Sequence, residues 1–146
     1  MEGEANKVEL AIFDYQYTTG GGERSKTNRQ SILFFHSPKL YLPDFNLRPE
    51  NVFHKIGGAF GYKDIDFKTH PIFSKSYLLR GDNEVEISGL FNNELLNFIH
   101  SQQKISIEGS GNQIIFYRHR NRIKPEEVES FMEEGFQVFD QFHRST

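Results

Sequence analysis

Four side chains able to ligate a metal fall close together in the first half of the chain: His54, Asp64, Asp66 and His70. Imidazole nitrogens and carboxylate oxygens suit zinc and similar divalent ions. In the alternating string Asp64-Ile65-Asp66-Phe67 the two carboxylates would point the same way on a strand, and His70 follows shortly after. A metal held there would serve a hydrolase by activating water. The spacing matches no established metal motif. The competing reading is a wet strand face with histidines in nearby turns, because charge pairs within a protein imitate such clusters freely.

A second constellation is basic: Tyr117-Arg118-His119-Arg120-Asn121-Arg122-Ile123-Lys124. Guanidinium forks match phosphate geometry, so Arg118, Arg120, Arg122 and Lys124 are candidate contacts for an anion, a partner or a nucleic acid. The run holds one aromatic and therefore lacks the interleaved stacking platform of single-strand binders. Glu126, Glu127 and Glu129 follow it, and a solvated loop paired with those acids accounts for it equally well.

Other candidates are weaker. Gly20-Gly21-Gly22 fits neither phosphate-cradling glycine pattern and reads as a hairpin linker. Arg80-Gly81-Asp82 matches an integrin-binding tripeptide but reads as a turn. No serine has a base and an orienting acid at a family spacing, and Glu108 stands too far from Asp64 in sequence to be named its acid/base partner. No catalytic residue and no cofactor is assigned.

The composition sets bounds. Without cysteine, the chain has no disulfide, thiolate metal site or cysteine nucleophile. A net charge of -3 argues for no strongly charged partner. Fifteen Phe and 6 Tyr in 146 residues, at a mean hydropathy of -0.61, imply a core of few but large side chains. Residues 1–6 carry no signal-peptide pattern, and no apolar run approaches the roughly 20 residues needed to cross a bilayer. The expected placement is cytoplasmic. The chain is expected to fold without metal, as a monomer or weak associate.

These side chains need elements to hold them. The pattern predicts an α+β domain over residues 8–144, an antiparallel or mixed sheet with helices packed on it, after a flexible segment at 1–7. Residues 8–17 are apolar on both faces, which predicts a central strand. Residues 18–28 read as a polar hairpin loop and 31–36 as a buried strand. Pro38 and Pro43 bracket an extended stretch suited to a sheet edge. Residues 51–60 read as a short helix, 64–67 as a short strand, 71–75 as a helical turn and 77–79 as a strand. Residues 84–102 follow helical period, broken at Gly89 and Asn92-Asn93 with an asparagine as second cap. Residues 104–108 and 112–118 make a hairpin. Pro125 opens a final amphipathic helix whose Gly135 lies inside the apolar stripe, where a missing side chain allows close approach to the sheet.

The strings at residues 12–22 (IFDYQYTTGGG), 42–50 (LPDFNLRPE), 53–57 (FHKIG), 62–67 (YKDIDF), 77–81 (YLLRG) and 133–136 (EEGF) together resemble a bacterial family of hypothetical proteins common in photosynthetic bacteria. The likeness covers nearly the whole chain. It implies a C-terminal soluble domain of a longer protein that is anchored to a membrane by a segment absent from this chain. It carries over no activity, cofactor or catalytic residue. The expected function is therefore a non-catalytic interaction or ligand-sensing module with a protein or small-ligand partner. The alternatives are a metal-assisted hydrolase at His54, Asp64, Asp66 and His70, and a nucleic-acid binder along Arg118 to Lys124.

Overall fold

The computed structural model describes residues 8–19, 26–50, 64–102, 104–118 and 122–146. The expected helix at 51–60, and with it His54, lies outside them, as do the segment at 1–7 and Arg120.

Six strands form one antiparallel sheet: β1 (Glu9–Thr19), β2 (Lys26–His36), β3 (Leu42–Pro49), β4 (Tyr77–Arg80), β5 (Ser106–Gly111) and β6 (Gln113–Tyr117). Their order is β1-β2-β6-β5-β3-β4. Among the described residues four helices complete the α+β fold: α1 (Pro71–Ser76), α2 (Glu84–Leu90), α3 (Asn93–Ser101) and α4 (Val128–Ser145), the last entered through a 3-10 turn at Pro125–Glu127.

Period-two alternation gives the sheet a buried face and a second face, open along the row through Phe34, Ile115 and Glu108 but buried at Gln30, Ile32, Tyr117 and Ser106. Leu33, Phe116, Ile107, Leu47 and Leu79 are successive cross-strand partners from β2 to β4, and none is more than 1% exposed. The helices lie on this face. Phe131 of α4 stacks on Phe116, Phe139 stacks on Phe35, and Phe142 stacks on Phe45. Gly135 is where α4 comes closest, since a Cβ there would run into the Leu33 side chain. The break between α2 and α3 is capped as expected: Asn92 Oδ1 accepts the Leu95 N–H at 2.9 Å.

Three expectations need correction. The strand from residue 8 is not central but β1, at the end of the sheet. Leu10 is half-buried against the core, but Ile12 on the same face and Phe13 and Tyr15 on the other are exposed. The stretch expected as a loop at 18–28 is strand at both of its described ends, because the β1–β2 ladder continues without a bulge to Thr19 opposite Lys26. Polar side chains do not prevent pairing: Gln16, Thr18, Thr27 and Arg29 share one exposed face of this ladder. The proline-bracketed stretch enters β3 only at Leu42, and there the strand pairs with β5 alone, because its ladder with β4 begins at Asn46. Pro43 falls in that one-sided part, where the register with β5 shifts between Leu42 and Phe45, and Pro49 ends the strand. Residues 64–67 are extended but form no strand of the sheet, attached to β4 by the Ile65 N–H donating to the Leu79 carbonyl at 2.8 Å.

Tyr77 starts β4 at 6% exposure, stacked on Phe73, and its hydroxyl oxygen accepts the buried Ile105 N–H at 3.3 Å. Burial pushes its phenol above the usual 10.0. Its contribution to stability is therefore complete below that value and is lost as pH rises through the higher folded one. Urea unfolding at rising pH is expected to show this loss in the parent and less of it in Tyr77→Phe. At neutral pH that variant should cost about 1 kcal/mol for the lost acceptor. Equal alkaline losses in both proteins would contradict the assignment.

Candidate functional site

The open face is built by the residues that alternate with the core. Ala11, Phe34, Ile115, Glu108, Asn46 and Arg80 are successive cross-strand partners along a row that crosses all six strands. The row is apolar across β1, β2 and β6 and polar across β5, β3 and β4. Its last five members floor a hollow of about 640 Å³, walled further by Arg48, Asp44, Asp82, Ser110 and Gln113.

The polar half is cross-linked. Arg48 Nη2 donates to Glu108 Oε2 at 3.1 Å, and Arg48 Nε donates to Asn46 Oδ1 at 3.0 Å. The Tyr117 hydroxyl donates to the same Glu108 oxygen at 2.9 Å, and the Arg48 guanidinium stands 5.8 Å from the centre of the Tyr117 ring. Ser110 Oγ donates to Asp44 Oδ1 at 2.5 Å. Side chains held by two or three such bonds stay in place before anything binds, which lowers the ordering cost of binding. At one end Gly81 closes the hollow, where a Cβ would overlap both the Asp44 carbonyl and the Ile87 side chain. The Arg80-Gly81-Asp82 tripeptide is thus the turn from β4 toward α2, and it lines the hollow.

The proposed ligand set at His54, Asp64, Asp66 and His70 looks different. Asp64 Oδ1 accepts from Arg80 Nε at 2.6 Å. Asp66 is exposed. The His70 ring contacts Thr69 Oγ1 at 2.8 Å and Asn97 Oδ1 of α3 at 3.1 Å. Among the described residues no three His, Asp or Glu side chains gather as a group that could hold a metal ion. Asp64, Asp66 and His70 are therefore not brought together as ligands, and His54 lies outside the described residues.

The basic run is also dispersed. Arg118 Nη2 meets Glu134 Oε2 of α4 at 2.6 Å, and Arg122 Nε meets Asp14 Oδ2 of β1 at 3.1 Å. Lys124 is exposed, and its backbone N–H donates to the Glu127 carboxylate. The two arginines tie the last connection to α4 and to the sheet, using acids far along the chain rather than the neighbouring Glu126, Glu127 or Glu129. Ser31 strengthens this junction, donating to Asp14 Oδ1 at 2.7 Å and accepting the Ile123 N–H at 2.8 Å.

Sequence reading passed over Phe34, Asn46, Arg48 and Ile115. One signal for part of the set was present: Asp44, Asn46 and Arg48 stand two apart in a strand whose alternate residues, Phe45 and Leu47, are buried. Polar residues at that spacing mark a solvated sheet face. Their meeting with Glu108 and Phe34 depends on strand order.

Among the described residues, no helix is long and apolar enough to cross a membrane. The chain matches no protein-family model, no curated protein and no solved structure.

Proposed function

We propose that the chain is a non-catalytic binding module whose ligand seat is the hollow on the open face of the sheet. The ligand class is a small organic molecule with an apolar body and one hydrogen-bonding end. The observation that carries this reading is the row Phe34, Ile115, Glu108, Asn46 and Arg80, which passes from apolar to polar across the floor of one hollow. At about 640 Å³ the hollow falls within the roughly 300–1,000 Å³ of small-molecule sites, and its few fixed polar groups beside an apolar wall are typical of them. The body would lie on Phe34 and Ile115, and the polar end would meet Glu108, Asn46 and Gln113. The Ser110–Asp44 hydrogen bond stands in the wall with no imidazole among the described lining residues, and the reading assigns that pair to holding the rim. The reading keeps the placement implied by the resemblance, a domain of a longer, membrane-anchored protein.

The test uses small aromatic amides and alcohols as probes, screened by ligand-observed NMR against the parent and two variants. Phe34→Ala removes the apolar floor, and Gln113→Trp fills the rim from an exposed position. Each should weaken the best probe about tenfold, or about 1.4 kcal/mol, without lowering the urea midpoint by a comparable amount. Equal binding to all three proteins would contradict the reading, as would no binding of any probe at about 1 mM.

A further inference from the structure

We infer that the outer edge of β1 pairs with the same edge of a second copy of the chain, extending the sheet across a two-fold axis. The motive is a mismatch between what β1 is made of and where it lies. Apolar residues on both faces belong to strands covered on both sides. Yet β1 ends the sheet, and among the described residues no strand pairs with its outer edge. Ile12 is 39% exposed, Phe13 46% and Tyr15 48%. The contrast lies within one row: Ile12 is the cross-strand partner of Leu33, from which the row runs to Leu79 with every member at 1% exposure or less. Only its β1 end is open. The uncovered surface continues onto α4, where Phe136 is 46% exposed and meets Phe35, the partner of Leu10, edge-on.

Edge strands are usually protected by lysine, proline or a bulge. Residues 9–19 contain no Lys, Arg or Pro, and the register with β2 is unbroken from Glu9 to Thr19. Among the described residues the edge offers a long row of backbone groups, marked by charge only at Glu9 and Asp14.

Complementarity within β1 itself argues that the occupant is a second copy. A two-fold axis normal to the sheet pairs antiparallel edges and keeps each face on its own side. An axis at Asp14 would set carboxylate against carboxylate, which is unfavourable. An axis at Ile12 sets Ile12 against Ile12, seats the large Phe13 ring beside the small Ala11 of the other copy, and places Glu9 opposite Tyr15 and Asp14 opposite Leu10. No acid then faces an acid. Asp14 is already held by Arg122 and Ser31 of its own copy. In that register residues 9–15 pair, a short contact of roughly 20–24 Å, so the dimer is weak, with Kd in the micromolar range.

The test is sedimentation equilibrium of the whole chain at concentrations up to about 500 µM. The parent should be a monomer–dimer mixture. Ile12→Lys places two ammonium groups across the axis and should weaken the dimer at least about tenfold, with the urea midpoint little changed because the position is exposed. Because residue 12 faces its own copy, an equimolar mixture of Ile12→Lys and Ile12→Glu should recover a heterodimer that neither variant forms alone. A parent that stays monomeric throughout overturns the inference. So does a dimer indifferent to Ile12→Lys, or a mixture no more associated than its components. Pairing of β1 with a strand of another protein, without self-association, would overturn it equally.

Discussion

Phe142→Ala is expected to destabilise the protein by about 3–5 kcal/mol, the range for removing a fully buried phenylalanine and leaving a cavity. Phe142 is 0% exposed. Its ring stacks on Phe45 of β3 at 5.4 Å and meets Phe91, at the α2–α3 junction, edge-on at 5.6 Å, while Phe45 and Phe91 touch each other at 5.2 Å. One side chain near the end of the chain thus joins the last helix, the sheet and the middle helices. The loss would be a large share of a typical domain stability of about 5–15 kcal/mol. An isolated helix of this length is marginal in water, so truncation before Pro125 should abolish the cooperative transition or shift its midpoint far downward. Urea unfolding measures both. A truncated chain unfolding at the parent midpoint would make α4 an appendage.

Gly135→Ala and Gly89→Ala should move stability in opposite directions. Both glycines lie inside helices, and on propensity alone each change favours the helix by about 1 kcal/mol. At Gly89 a Cβ meets nothing within 4 Å, so Gly89→Ala should gain about 0.5–1 kcal/mol. At Gly135 a Cβ would overlap Leu33 and press on Phe35, both buried in the sheet. Overpacking there costs about 1–3 kcal/mol, which outweighs the propensity gain over most of that range and leaves a net loss of up to about 2 kcal/mol. Urea midpoints of the two variants decide it. A stabilised Gly135→Ala would mean that α4 rides higher on the sheet than described.

The contrast between those two glycines shows which parts of the fold were legible. The apolar stripe around Gly135 follows from helical period, and so does the close approach. The cap at Asn92 and the hairpin between β5 and β6 follow from local chemistry too. Strand order does not. An apolar two-faced strand is the signature of a central position, and β1 carries that signature at the end of the sheet. Pro43 argues for an edge in sequence, and there β3 does pair with β5 alone, yet from Asn46 the same strand lies between β5 and β4. The site was missed for the same reason. Residues 54, 64, 66 and 70 are near one another along the chain, whereas the hollow gathers Phe34, Asn46, Glu108 and Ile115 from four strands. The pairing of Glu108 with Asn46, and of Phe34 with Ile115, exists only once the order β2-β6-β5-β3 is known.

The most direct test of the binding-module reading is a backbone amide map of the protein, recorded by ¹H–¹⁵N NMR while the tightest small-molecule probe is titrated to saturation. The expected result is a compact set of shifted amides at Phe34, Asn46, Arg48, Glu108, Gln113 and Ile115, with the amides of α3 and α4 unmoved. Shifts centred on the helix-covered face, or scattered over the surface with no cluster on those strands, would contradict it.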